Sequence, residues 1–513
     1  MATEIEIKLT AGDAMLGHLR DHPALTGAET RSTLVTTYFD TVGGRLGRRG
    51  ATLRVREDGG SPQQTLKLAS RNGGSVRRGE WNTPVSGLEP ETHRLPKKAR
   101  SRLEHLIDDA HIVVLGTMRV ERTVRRIGYR SSTIELAFDS GTIEADTRRE
   151  PVGELELELV DGSLADVLDL ALELPLGPEL RWSILSKGDR CYALAFDTPP
   201  AAVKAGPAAS AKGTDATSGF QTIAWACLEH FLANYALVIE TGDADAVHQS
   251  RVALRRLRAA FTLFGSLVAD DVAPILRTEI KAVAACLGEV RDLDVLIERL
   301  ENSDPTAAGG EPRDHSDELL AHLAVRRQAA IDRARAMLCG APLQRLLVRC
   351  AHWIEAGPWL AAAADHRGDE PIARFARSVL KRRRRKLRRV NDDLGQLGDE
   401  ERHELRIEVK KLRYAGDFFG PMLGARGKNK HGKAFLKAVS RLQEALGTLN
   451  DVAVAEAGRD ALFDDVEPLA AARLAAQLAL SIESAAPARD PLLRAAERNL
   501  AAVKTLPAWW KSR

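Results

Sequence analysis

Hydrophobic and polar positions alternate with a period of two through much of residues 1–197. The clearest stretches are 4–9, 33–39, 51–57, 64–69, 121–129, 133–138 and 154–160. Alternation of this kind predicts β-strands, because successive side chains of a strand point to opposite faces. Gly43-Gly44, Gly59-Gly60, Gly73-Gly74 and Asp161-Gly162 punctuate the stretches as turns. Two helical inserts are expected near 99–109 and 163–174. Many antiparallel strands with frequent turns suggest a barrel or a sandwich. Residues 198–218 are mostly Pro, Ala, Gly, Ser, Thr and Lys, with little to bury, and read as a linker. From residue 219 onward the apolar positions recur every three or four residues, which predicts helices.

The helical half repeats itself. His248, Arg251, Arg255, Arg256 and Arg258 are spaced identically to His403, Arg406, Lys410, Lys411 and Arg413. Each set is followed by a second shared element, Leu287-Gly288-Glu289-Val290-Arg291-Asp292 and Leu446-Gly447-Thr448-Leu449-Asn450-Asp451. Two correlated elements in the same order imply two related helical bundles, about 220–360 and 370–505, facing each other with pseudo-two-fold symmetry. The second His-bearing helix has a plausible start at Asp399.

Charge placement adds chemistry to both halves. On one strand face lie Glu4, Glu6 and Lys8, and on another Glu154, Glu156 and Glu158. Like charges in a row repel and lose hydration when enclosed, and a divalent cation between two such rows would relieve both effects. The bland reading is a pair of amphipathic edge strands with solvated charged faces. Arg54, Arg56, Lys67, Arg122 and Lys187 supply cations on intervening segments, and Glu135 and Asp139 bracket a strand end. If these faces point into a closed barrel, its interior carries both signs: Arg and Lys for phosphate oxygens, carboxylates for a metal.

On a helix, positions i, i+3, i+7 and i+10 share a face, so each repeat carries a cationic stripe that repels itself unless anions neutralise it. Arg291 extends the first stripe, Lys437 and Arg441 lie near its counterpart, and 381–389 is an almost unbroken basic run. Solvated faces, a nucleic-acid surface and an inorganic polyanion site all fit a basic stripe. An aromatic share of only 5% and the lack of a readout motif disfavour nucleic acid. His248 and His403 have no neighbouring spacing typical of a His metal cluster.

At 513 residues the chain suits two or three domains, and its 44% hydrophobic and 28% charged residues fit a soluble protein. A net charge of +3 hides segregation: acidic rows come early, basic clusters late. Five scattered cysteines without a CxxC pair argue against a disulfide framework or structural zinc site, and for a reducing compartment. With no apolar leader and no run of roughly eighteen apolar residues, a cytoplasmic protein that does not enter a membrane is expected.

The Glu4-x-Glu6-x-Lys8 row, the Leu53-Arg54-x-Arg56 element, Lys67, Arg122, Asp139, the Glu154-x-Glu156 row and Lys187 resemble the CYTH family, the triphosphate tunnel metalloenzymes, across about 1–197. The helical repeat resembles the CHAD family, the conserved-histidine helical domains, across about 219–505. Together these resemblances imply an α+β multidomain chain: an eight-stranded antiparallel β tunnel, then an all-α domain of two four-helix bundles around a basic cleft. They imply that Glu4, Glu6, Asp139, Glu154 and Glu156 hold Mg²⁺ or Mn²⁺. Arg54, Arg56, Lys67, Arg122 and Lys187 would bind triphosphate, with Lys8 beside the reacting phosphoryl group. His248, Arg251, Arg255, Arg256, Arg258, Arg291, His403, Arg406, Lys410, Lys411 and Arg413 would bind inorganic polyphosphate. The implied activity is hydrolysis of inorganic triphosphate to diphosphate and phosphate. A class IV-like adenylate cyclase, a thiamine triphosphatase and a non-catalytic polyphosphate receptor remain as alternatives.

Overall fold

The structure is a computed structural model that describes residues 2–57, 60–68, 77–206, 213–302, 313–361, 368–424, 429–458, 462–464, 466–485 and 489–511. The expected glycine turns at Gly59 and at Gly73-Gly74 lie outside the described residues.

The first part folds as an antiparallel sheet. Its strands are β1 (Ala2–Ala11), β2 (Glu29–Thr41), β3 (Ala51–Glu57), β4 (Gln63–Leu68), β5 (Arg77–Pro84), β6 (Ile112–Tyr129), β7 (Ser132–Ala145), β8 (Arg148–Asp161) and β9 (Leu180–Ser183). The described residues form nine strands rather than eight, in the order β5-β4-β3-β2-β6-β7-β8-β1-β9. A seam on β1 explains the extra strand. Over Ala2–Ile5, β1 pairs with β5, which curls the sheet towards a tunnel. Over Lys8–Ala11, that edge of β1 pairs with β9 instead. The ring is therefore joined only at one end of the seam.

Five helices accompany the sheet: α1 (Asp13–Arg20), α2 (Arg45–Arg48), α3 (Lys97–Ile107), α4 (Leu164–Glu173) and α5 (Lys187–Ala195). The strand period sorts the side chains. Ala51, Leu53 and Val55 of β3 join Phe39, Leu66, Trp81, Ala99 and Leu103 in a core between sheet and α3. Residues 52, 54 and 56 then face the other way, into the tunnel. A second apolar cluster of Leu34, Tyr38, Met118, Val120, Ile143, Val152 and Cys191 packs α5 against the sheet. Gly188 allows α5 to approach closely, since a Cβ there would stand 2.7 Å from the Thr52 methyl.

Ten longer helices follow. The first repeat holds α6 (Ala216–Thr241), α7 (Ala244–Leu263), α8 (Val272–Glu301), α9 (Arg313–Cys339) and α10 (Ala341–Ala356). The second holds α11 (Ile372–Leu387), α12 (Asp399–Phe419), α13 (Lys430–Gly458), α14 (Pro468–Ala485) and α15 (Arg489–Thr505). Each repeat thus has five helices among the described residues, not four. The two His-bearing motifs fall on α7 and α12, and the Leu-Gly elements on α8 and α13. Helix α12 starts at Asp399 as expected, with the Glu401 carboxylate accepting from the Gly398 N–H at 2.9 Å.

One compact unit comprises Met1–Lys204, Trp225–Ser250 and Ala336–Gly357; the other comprises Ala205–Ala224, Arg251–Arg335 and Pro358–Arg513. The second unit has an aromatic core drawn from both repeats. Phe264 stacks on Phe375 at 4.7 Å and meets Phe419 at 5.6 Å, while Phe220 meets Trp359 at 5.1 Å. Helix α6 is long and apolar enough to match a membrane span, contrary to the sequence expectation, but 67% of that window is buried inside the protein. It behaves as a core helix that is apolar on several sides. The expected linker is also less loose than its composition suggests. Asn234 bonds both the N–H and the carbonyl of Val203, at 2.8 and 3.0 Å.

Candidate active site

Strand register assembles the charged residues into rows across the inner face. Directly opposite residues of neighbouring strands share a face. One row runs Thr10, Glu154, Asp139, Arg122 across β1, β8, β7 and β6. The next runs Lys8, Glu156, Ala137, Val124. The third runs Glu6, Glu158, Glu135, Arg126 and sets three glutamates side by side. On the opposite wall Arg54 and Arg56 pair with Tyr38 and Thr36 of β2, and Lys67 pairs with Glu80 of β5. These walls enclose a polar cavity of about 290 Å³ lined by Glu4, Glu6, Lys8, Arg54, Arg56, Lys67, Glu80, Arg122, Glu135, Glu156, Glu158 and Lys187. All five expected phosphate-binding cations and Lys8 reach it. Of the five expected metal carboxylates, Glu4, Glu6 and Glu156 line it, while Asp139 and Glu154 of the same inner face are buried beside it.

The carboxylates divide into two groups. Asp139, Glu154 and Glu156 bring oxygens within 4.8 Å of one another, but cations already fill that cluster. The Lys187 ammonium lies 2.7 Å from Asp139 and 3.0 Å from Glu156, and also bonds Glu154. Arg122 forms a fork on Asp139, at 2.7 and 2.5 Å, and reaches Glu156 at 2.7 Å. Burial opposes every charge here, yet the pairing prevails: Lys187 and Arg122 are pushed up, Asp139 down, and Glu156 well down. Glu154 is raised by burial and by Glu156.

Glu4 and Glu6 sit apart from that cluster. Glu4 accepts from Lys67 at 2.6 Å, and Glu6 accepts from Lys8, which also lies 3.5 Å from Glu156. Burial works against the Lys8 charge, and Glu6, Glu156 and Glu154 outweigh it. Glu158 shows where negative charge is in excess. Burial, then Glu4, Glu6, Glu135 and Glu156, push its carboxyl up to about 7. A hard divalent cation suits this all-oxygen donor set and would relieve that repulsion. Two carboxylate groups thus offer oxygens to a metal: Glu4, Glu6 and Glu158 on one side, and Asp139, Glu154 and Glu156, whose oxygens converge, on the other.

Positive charge is in excess around Arg56. Burial, then Arg54 and Arg122, lower the Arg56 pKa to about 10, although Arg122 is itself paired with Asp139 and Glu156. Sequence reasoning placed Glu158 in the glutamate row and Glu135 beside Asp139 at a strand end, without assigning either as a metal ligand. Glu80 becomes visible only through the register, opposite Lys67.

The basic helical residues are also sorted by the fold. Arg255 reaches solvent, and desolvation by its surroundings, then Arg251, Arg413 and Arg406, lowers its pKa. Stripes from α7 and α12 therefore converge. Arg258 is lowered by burial and by Arg277. Arg251 donates to the Gly288 carbonyl at 3.0 Å and pairs with Asp292 at 3.1 Å. Arg291 pairs with Glu298 at 3.7 Å, and Lys411 with Glu408 at 2.9 Å. Arg256 is buried, donates to the Gly206 carbonyl and lies over the Phe418 ring, so its position is that of a core residue. His248 is half-buried and His403 exposed.

A curled antiparallel sheet with carboxylate and guanidinium rows, followed by a duplicated helical module with basic stripes, defines a two-module protein. Comparison with known families agrees: the chain carries a CYTH domain, matched over residues 2–192, and a CHAD domain, matched over residues 222–460. It is 30% identical over 205 residues to the inorganic triphosphatase of Haemophilus influenzae, a match covering 38% of this chain and 55% of that relative. The aligned part thus spans about half of that relative's length. The crystal structure of the CHAD domain from the plant Ricinus communis is 30% identical, with a TM-score of 0.49, covering 60% of this chain and 99% of that one. PptA from Streptomyces chartreusis is 17% identical, with a TM-score of 0.38, covering 56% and 99%.

Proposed function

We propose that the tunnel is a metal-dependent inorganic triphosphatase and that the helical part, 219–505, binds inorganic polyphosphate. The carrying observation is the polar cavity of about 290 Å³ whose lining combines Glu158, raised by burial and neighbouring carboxylates, with Arg56, lowered by burial and by Arg54 and Arg122. The sequence relationship to an inorganic triphosphatase supports the same reading. In it, Arg54, Arg56, Lys67 and Arg122 hold the non-bridging oxygens of a triphosphate. Lys8, kept charged by its glutamates, stabilises charge on the terminal phosphoryl group. Water adds to the terminal phosphorus, the bridging P–O bond breaks, and diphosphate leaves with the electron pair. Glu4, Glu6 and Glu158, with Glu156 beside them, would hold Mg²⁺ or Mn²⁺, which would neutralise phosphate charge and orient the water. Lys187 and Arg122 hold the Asp139–Glu154–Glu156 cluster in place beside that site. Converging stripes around Arg255 and Arg413 would take the polyphosphate chain, whose charge relieves their crowding.

A substrate panel tests the activity. Triphosphate, ATP and thiamine triphosphate are assayed side by side with Mg²⁺ and Mn²⁺. Triphosphate is expected to be hydrolysed best, and Glu6→Gln to lose at least about a hundredfold in kcat, since it removes a charge that metal and Lys8 both need. Formation of cyclic AMP, or undiminished hydrolysis by Glu6→Gln, would overturn the assignment.

A further inference from the structure

The seam on β1 leaves the outer edge of β9 without a neighbouring strand among the described residues. β9 pairs with β1 through Lys8↔Ser183, Leu9↔Trp182, Thr10↔Arg181 and Ala11↔Leu180, and on its outer edge Leu180 is bridged by Gly177 of the preceding turn. It is four residues long, too short to hold itself in place. Yet its position matters to the cavity at two points. Lys8 lies opposite Ser183, and Lys187 follows only four residues later, at the start of α5. An error in the placement of β9 therefore reaches both buried lysines.

Two helical side chains cap the outer edge. The Trp182 N–H donates to Gln344 Oε1 at 3.1 Å, and the Trp182 carbonyl accepts from the Tyr235 hydroxyl. Gln344 is itself fully buried and donates to the Leu338 carbonyl at 3.0 Å. The Trp182 ring meets Trp225 edge-on at 6.3 Å, and the Trp225 indole N–H donates to Glu355. Gln344 and Glu355 lie on α10, Tyr235 and Trp225 on α6. These helices belong by sequence to the helical half but share a compact unit with the tunnel. A strand edge closed by side chains instead of another strand is rigid only while those side chains remain.

We propose that Gln344 and Tyr235 are positioning residues for the tunnel: by bonding both backbone groups of Trp182, the first helical repeat holds β9 and so sets Lys8 and Lys187. The catalytic consequence rests on the proposed triphosphatase reading; the mechanical one does not. The helical part then completes the enzyme's framework in addition to any ligand it binds.

The full-length protein tests this with Tyr235→Phe, which deletes one hydroxyl, and Gln344→Leu, which removes both amide bonds at similar size. Two measurements are made on each folded variant. Amide hydrogen exchange is expected to rise across 180–187 and stay unchanged in β6 and β7. The kcat for triphosphate is expected to fall about tenfold with KM within about twofold, because small displacements of a charged group near the reacting centre cost rate more than binding. A purely structural role would lower the melting temperature and leave the kcat of folded protein alone. Unchanged exchange across 180–187, or unchanged kcat in both variants, would overturn the proposal. A wild-type protein inert towards triphosphate would overturn the proposed function and not the clamp, which the exchange difference decides by itself.

Discussion

At the scale of single residues, the tunnel wall is a network in which each buried charge depends on its partner. Asp139 is fully buried and accepts a two-pronged bond from Arg122 while touching Lys187. Removing one member of a buried ionic group leaves the others desolvated and unpaired, at a cost of about 3–5 kcal/mol. Asp139→Asn is therefore expected to lower unfolding free energy by that order in denaturant titration, with no metal or substrate present. A loss under about 1 kcal/mol would mean that water reaches Arg122 and Lys187 freely. Cys191 illustrates the opposite kind of burial. It lies in an apolar cluster, and burial pushes its thiol up to about 12. It should stay unreactive towards thiol reagents at pH 8 in folded protein and react on unfolding, readable by mass spectrometry of the labelled peptide. The sequence made Glu4, Glu6, Lys8 and the Glu154 row legible because like charges at alternate positions are conspicuous. It could not show that Lys187 and Arg122 neutralise one carboxylate group and leave Glu158 to be raised by the other. That distinction depends on cross-strand register, which joins residues far apart in the chain.

At the scale of elements, legibility followed length and period. β2, β3, β4 and β8 fall where alternation places strands, because one of their faces is core and the other is not. β5 carries Gly79 and ends at Pro84, so its alternation is broken. β9 has four residues, fewer than a period needs to declare itself. Five helices per repeat instead of four were hidden for a related reason: α6 is apolar on several sides and offers no clear stripe. Helix α4 shows how an element's end is tuned. Ser163 caps it by accepting from the Ala165 N–H. Asp166 in its first turn accepts from Ser132 at 2.6 Å and Ser131 at 3.0 Å, and these bonds lower its pKa. A carboxyl depressed on folding stabilises the native state above its unfolded pKa of about 3.9. That stability disappears as pH falls through the lowered folded value. Asp166→Asn should accordingly melt earlier than wild type at pH 7, and the gap should close in acid. A gap independent of pH would assign the effect to packing instead of charge.

At the scale of the whole molecule, the chain separates opposite charges into sites that want opposite partners. The tunnel has an excess of carboxylate around Glu158 and an excess of guanidinium around Arg56. In the second unit, Arg251, Arg413 and Arg406 bear on Arg255 and lower its pKa together with desolvation, while Arg251 also pairs with Asp292 and Arg413 with Asp417. Crowded cations are a stability cost that a bound polyanion removes. Any ligand that binds only the folded state stabilises it, by about 2.7 kcal/mol at a hundredfold excess over Kd. Inorganic polyphosphate should therefore raise the melting temperature progressively with concentration. Arg255→Ala combined with Arg413→Ala should melt later than wild type without polyphosphate, since self-repulsion is relieved, and gain less from adding it. The wild-type gain should shrink in high salt, which screens exposed charges beyond roughly 10 Å. These two effects of opposite sign distinguish a ligand site from a solvated face. If the stripes were only solvated, the double variant would be neutral in both arms, and polyphosphate would stabilise both proteins equally or not at all.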